Sequence, residues 1–119
     1  MPEIAMQERD AILRMLFGGT KYLGLARSSP DDEETDSAYT RRAINLSEPQ
    51  GDDLRFVTNE APILFPEYRQ DAARPVLYAF ISDTPDGPPK FSERLKAAKE
   101  PKAGEIIFFA TGELRIGAP

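Results

Sequence analysis

The sequence predicts a mainly β protein, an antiparallel β-sandwich or jelly roll of about seven to eight short strands with one short N-terminal helix. Three observations carry this expectation. Prolines number 11 in 119 residues and recur from Pro30 to Pro101, which leaves little room for a long helix after the first thirty positions. Short apolar or alternating runs stand between these prolines at a spacing of roughly 8–15 residues. Only the first segment keeps a helical period.

That segment is residues 4–16. Apolar residues fall at Ile4, Met6, Ala11, Ile12, Met15 and Leu16, with Glu8, Arg9, Asp10 and Arg14 between them. Ile12, Met15 and Leu16 keep the i, i+3, i+4 spacing of an amphipathic helix. Gly18-Gly19 stops it, as a glycine C-cap does. Two roles are open for the stripe: packing on the chain's own core, or docking on a neighbouring subunit. The second makes residues 1–17 an N-terminal helical arm on a single β-sandwich domain, residues 18–119, and predicts that removing the arm leaves a folded domain.

Strand patterning follows. Lys21-Tyr22-Leu23-Gly24-Leu25 is the first strand candidate, and the polar acidic loop 28–37 comes next. Residues 38–44 read as a second strand with Tyr39 on one face, 54–57 as a third, and 61–65 as a fourth with Pro62 at an edge or at the strand start. Residues 76–81 are densely apolar and read as a central strand buried on both faces. Asp86-Gly87 marks a turn tip. Residues 91–99 are ambiguous: they have good helix propensity, with Phe91 and Leu95 at i, i+4, yet alternation puts Phe91, Glu93, Leu95 and Ala97 on one strand face. Residues 106–109 form a second dense strand, and 113–116 end the pattern in simple alternation.

Composition narrows the chemistry. The chain contains no cysteine and no histidine, so the usual zinc site, a thiol nucleophile, a disulfide framework and a Ser-His-Asp triad are out of reach. The net charge of −5 disfavours a nucleic-acid partner, which needs a basic footprint. No apolar run approaches the roughly 20 residues of a membrane-spanning helix. The first residues lack the basic and apolar regions of a signal peptide, so synthesis and folding in a cytoplasm are expected. Gly18-Gly19 lacks the following Gly-Lys-Ser/Thr of a phosphate-binding loop. No cofactor, metal or catalytic residue is assigned.

Charge is uneven. Residues 1–60 carry 12 acids against 7 bases, while residues 61–119 carry 8 of each. The acidic cluster Asp31, Asp32, Glu33, Glu34 and Asp36 lacks the glycine and the alternation of a calcium loop, and reads as a solvated or partner-facing loop. Lys90, Arg94, Lys96, Lys99 and Lys102 form a basic stretch. The acidic loop of one copy could meet the basic ridge of another, with Lys96 and Lys99 at its centre. The alternative is scattered solubilising charge.

The order of segments resembles a family of small tailed-phage virion proteins often labelled phage tail fibre proteins. The resemblance rests on Leu16-Phe17-Gly18-Gly19-Thr20-Lys21-Tyr22-Leu23-Gly24-Leu25, the loop Pro30-Asp31-Asp32-Glu33, and Tyr39-Thr40-Arg41-Arg42-Ala43-Ile44. It continues through Asn59-Glu60-Ala61, Phe65-Pro66, residues 76–83 with Asp86-Gly87, residues 101–109, and Gly112-Glu113-Leu114-Arg115-Ile116. It spans Ile12 to Ile116. The chain departs from the family in having no tryptophan before the apolar strand, where Glu67-Tyr68-Arg69-Gln70-Asp71 stand, and in the high charge of residues 91–99.

The resemblance implies a structural component of a virion, made in a host bacterium, without catalysis. Its expected partners are the major capsid protein or tail proteins and copies of itself. The chain has neither the repeats nor the heptads of a fibre shaft. A single compact sandwich suits a capsid decoration (cement) protein, with a tail, collar or fibre component as the alternative. A small carbohydrate-binding module would need exposed aromatics such as Tyr68, and a small hydrolase would need two carboxyls of opposed acidity in a cleft. The expected partner interface comprises Ile12, Met15, Leu16, Asp31, Asp32, Glu33, Glu34, Lys96 and Lys99.

Overall fold

The computed structural model describes residues 6–36, 38–52 and 55–117. Ile4 of the predicted helix, Ser37 of the acidic loop, and Asp53 and Leu54 before the third strand lie outside these ranges. The chain is mainly β: among the described residues one helix, α1 (Met6–Phe17), precedes eight strands in antiparallel sheets. The strands are β1 (Thr20–Ala26), β2 (Arg42–Asn45), β3 (Phe56–Thr58), β4 (Ile63–Leu64), β5 (Val76–Ser82), β6 (Phe91–Lys99), β7 (Phe108–Phe109) and β8 (Arg115–Gly117). This is the predicted class, a small β-sandwich.

The helix ends where the glycines predict. The Gly18 amide donates to the Arg14 carbonyl at 2.8 Å, and Gly19 takes φ +78°, a left-handed conformation that a glycine adopts without Cβ strain. The chain then enters the main sheet, ordered β2-β1-β5-β6 and antiparallel throughout. Strand alternation divides its residues between two faces. Leu23 and Leu25 of β1 and Ala79 and Ile81 of β5 face the core. Tyr22, Gly24, Tyr78 and Phe80 face outward. Strand β5 lies between two partners and Phe80 and Ile81 are fully buried, matching the expected central strand.

Two short ribbons, β3 with β8 and β4 with β7, complete the core. They contribute Val57, Ile116, Ile63 and Phe109, with Phe65 beside them. Asn59 ties the ribbons together. Its buried amide donates to the Ala61 and Ala110 carbonyls at 2.9 Å each, and its side-chain oxygen accepts from the Leu114 amide at 3.0 Å. All the capacity of this buried polar group that matters is thereby used.

Several boundaries move. The second strand begins at Arg42, not at residue 38, and Tyr39 lies in the preceding loop. Its hydroxyl accepts from the Leu25 amide at 3.0 Å, so a side chain takes over β1's edge beyond the end of β2. The fourth and seventh strands are short because proline and turn residues flank them. Residues 91–99 are strand. Pairing with the β5 edge and the edge-on contact of Phe91 with Phe17, 5.7 Å between ring centroids, override the helix propensity. The strand is not regular. Between the pairs Tyr78↔Arg94 and Val76↔Lys99, four β6 residues (95–98) stand opposite Leu77 alone, a wide bulge.

The helical stripe is rotated from the predicted one. Leu13 and Phe17, at i, i+4, enter the core at 1% and 4% exposure, while Met15 stays 72% exposed. Ile12 and Leu16 are half-buried, with Leu16 packed against the core cluster. Arg55 clamps the helix from the β2–β3 connection, donating to both Asp10 carboxylate oxygens at 2.8 and 3.0 Å and to the Gly51 and Pro49 carbonyls. The helix thus packs on the sandwich core through Leu13 and Phe17.

Candidate functional site

The acidic loop crosses the open edge of β1 and is held there by its own charges. Asp32 accepts from the Ser28 hydroxyl at 2.7 Å and from Arg27 at 2.9 Å, and these bonds hold its carboxyl far below the usual carboxylate range. Glu33 is bidentate with Arg41 at 2.9 and 3.0 Å and accepts from the Tyr39 hydroxyl at 2.6 Å. Burial pushes the Glu33 carboxyl up, but the bonds from Arg41 and Tyr39 outweigh it and leave it below its ordinary value. Glu34 is buried, accepting from the Tyr68 hydroxyl at 2.7 Å and from the Thr35 and Asp36 amides at 2.8 and 3.2 Å.

Both phenols respond to their surroundings. Burial first, and then the carboxylates they donate to, raise Tyr39 and Tyr68 well above the ordinary tyrosine value. Of the four acids expected at an interface, only Asp31 is exposed. Asp32, Glu33 and Glu34 are engaged in bonds within the chain, which neutralise the loop internally. Run-length could not show this, because the cations that neutralise the loop, Arg27 and Arg41, flank it in sequence as if they were separate features. Among the described residues, no group of three or more acidic side chains is gathered as a metal site requires.

Lys96 and Lys99 lie on β6, at the end of the main sheet. Lys96 is exposed. Lys99 is half-buried, with its ammonium 5.8 Å from the centre of the Phe109 ring. The nine predicted residues therefore fall on three separate regions: the helix, the β1 edge and the β6 edge.

The structure assembles a surface that the sequence reading left out. In the β4–β7 ribbon, Leu64 stands directly opposite Phe108. Alternation sends Ile63, Phe65, Ile107 and Phe109 inward, where all are at most 5% exposed, and sends Leu64, Ile106 and Phe108 outward, at 50%, 39% and 53%. The Phe65 amide donates to the Ile107 carbonyl at 3.0 Å, so the ladder runs past the short strands. Pro62 and Ala110 extend the same outward face and are exposed. A continuous apolar face of this kind on a ribbon is a candidate docking surface.

Two shallow grooves border it. One, about 330 Å³, runs between β2 and β4 and is edged by Arg42 and Glu60. The other, about 250 Å³, is edged by Lys99, Glu100 and Glu105. The face thus has an apolar centre and a rim of both charges, the anatomy of a protein–protein contact. A signal for it was present in the sequence: residues 62–66 and 106–110 are apolar at every position, which an ordinary one-sided ribbon is not.

The tyrosines do not form a comparable surface. Tyr68 is 4% exposed, and Tyr22, Tyr39 and Tyr78 are half-buried. No helix among the described residues is long and apolar enough to cross a membrane. No protein-family model matches the chain, and no curated protein matches it.

Proposed function

We propose that the chain is a structural accessory protein of a tailed-phage virion, a capsid decoration (cement) protein that binds the particle through the Leu64–Ile106–Phe108 face. The observation that carries this reading is that face itself, a solvent-facing apolar ribbon backed by a packed core. Burying such a side chain is worth about 1.5–3 kcal/mol. Many copies on a repetitive shell would stabilise the assembled state by mass action. The segment order from Ile12 to Ile116, with its resemblance to small virion proteins, supports the choice of a viral shell as partner. The internally neutralised acidic loop suits a subunit that must keep one shape at high copy number.

The test is binding to purified phage particles stripped of the protein. Wild-type chain should saturate the particles at hundreds of copies. The variant Leu64→Ser/Phe108→Ser should keep the wild-type circular dichroism spectrum and lose particle binding. Saturation at a few copies would replace decoration by a collar or tail position. Undiminished binding of the double variant would remove the assigned face.

A further inference from the structure

We propose that the free edge of β6 binds an acidic, extended segment of a partner protein, which adds to the main sheet as a further strand and places an apolar side chain in the cleft beside the bulge. This surface meets the rim of the Leu64–Phe108 face at Lys99 and does not depend on the virion reading.

The edge is open. Among the described residues, strand β6 is the longest, at nine residues, and pairs with β5 alone. Among the described residues, no backbone hydrogen bond runs from residues 91–99 to any other segment. The regular stretch Phe91–Arg94 leaves its outer amides and carbonyls unanswered, a template for strand addition.

The bulge shapes the site. The bulged part of β6 and the turn that precedes β8 line a cleft of about 500 Å³. Leu95, Phe109 and Leu114 supply apolar lining, enough to receive one aliphatic side chain. Strand addition gives affinity through the main chain, and such a cleft gives specificity through alternate side chains.

Charge selects the occupant. Arg94, Lys96, Lys99 and Arg115 line the cleft, and none of them forms an ion pair among the described residues. Against them stand Glu93 and Glu113, and the Glu113 carboxylate already accepts from the Ala110 amide at 2.9 Å. The surface is therefore net positive in an acidic protein. Pairing β6 with β6 of a second copy would bring like charges together, an arrangement that protects edges from self-association. In the chain's own acidic loop, Asp32, Glu33 and Glu34 are already held on Arg27, Arg41 and Tyr68, so a second copy offers these cations few free carboxylates. An acidic segment of a different protein fits both the edge and the cations.

The probe is a fluorescein-labelled synthetic peptide alternating glutamate with valine over the length of β6, with a lysine–valine peptide as control, titrated against the full chain by fluorescence anisotropy. The glutamate peptide should bind saturably, weaken with added salt, and shift the backbone NMR signals of residues 91–99. The lysine peptide should not bind. The double variant K96E/K99E, checked for wild-type circular dichroism because Lys99 is half-buried, should lose about tenfold or more in affinity, while Leu64→Ser/Phe108→Ser should bind the peptide as wild type does. Equal binding of both peptides, unchanged affinity in K96E/K99E, or self-association through β6 without peptide uptake would overturn the proposal.

Discussion

Gly24 of β1 lies directly beneath the ring of Phe80 of β5: a Cβ at position 24 would stand 2.2 Å from Phe80 Cζ. The ring is fully buried although it points away from the main core. The Arg41 guanidinium covers it at 4.8 Å and is itself held by Glu33 and by the Thr84 and Gly87 carbonyls. Glycine, aromatic ring and guanidinium form one stack, which seals the outer face of the sheet.

Gly24→Ala should therefore destabilise the chain by about 1–3 kcal/mol, the usual cost of forcing extra volume into a packed site. Urea unfolding would read it. Phe80→Leu, which shortens the side chain above position 24, should make the added methyl less costly, and strictly additive effects of the two changes would refute the direct contact.

Arg41→Ala should uncover Phe80 and leave the partly buried Glu33 carboxylate without its cation. A loss of about 2–3 kcal/mol is expected, in the range of hydrogen bonds to charged groups. Arg41→Lys should recover only part of it, because an ammonium cannot reproduce the bidentate contact. Full recovery in the lysine variant would show that charge alone matters there.

Stability should fall at both ends of the pH scale. Asp10, Asp32, Glu33 and Asp83 have folded values below their ordinary ones, so the unfolded chain binds more protons in acid. Their contribution is complete above the ordinary carboxylate range and is lost as pH drops from about 5 through the lowered values. Tyr39 and Tyr68 have folded values above the ordinary 10.0, so the folded chain keeps protons that the unfolded one releases, and stability declines as pH rises past about 10. Thermal melts across pH should show a plateau between these limits. Glu33→Gln should flatten the acid limb; an unchanged limb would remove Glu33 from the account.

Helix α1 should behave as core on one side and surface on the other. Leu13→Ala should cost about 2–5 kcal/mol and Phe17→Ala about 3–5 kcal/mol, whereas Met15→Ala should stay within about 0.5 kcal/mol. Arg55→Ala should loosen the helix by removing the clamp on Asp10, visible as faster amide exchange in α1. Deleting residues 1–17 removes Leu13 and Phe17 from the core and should unfold or strongly destabilise the domain, so it cannot serve as a test of docking.

Much of the fold was legible from local pattern. The apolar density of residues 76–81 marked the central strand, and Gly18-Gly19 marked the helix end, because burial on two faces and a left-handed cap each demand particular residues at particular places. The 91–99 segment was not legible. Its propensity favours helix, and only the waiting edge of β5 and the Phe17 ring make it strand. The helix period was visible, but its phase was not. Ile12, Met15 and Leu16 satisfy the same spacing as Leu13 and Phe17, and the choice depends on where the sheet lies.

The candidate surfaces divide in the same way. By itself the sequence determined the class of the protein: a cysteine- and histidine-free, acidic, proline-punctuated β chain whose side chains carry charge and apolar area but no thiol or imidazole chemistry. Tertiary structure alone decided which of those side chains are available. It folded Asp32, Glu33 and Glu34 onto Arg27, Arg41 and Tyr68, turned Leu64, Ile106 and Phe108 outward, and left β6 with an open edge. The physical reason is that composition and period are local, whereas exposure and ion pairing depend on what the rest of the chain places opposite each residue.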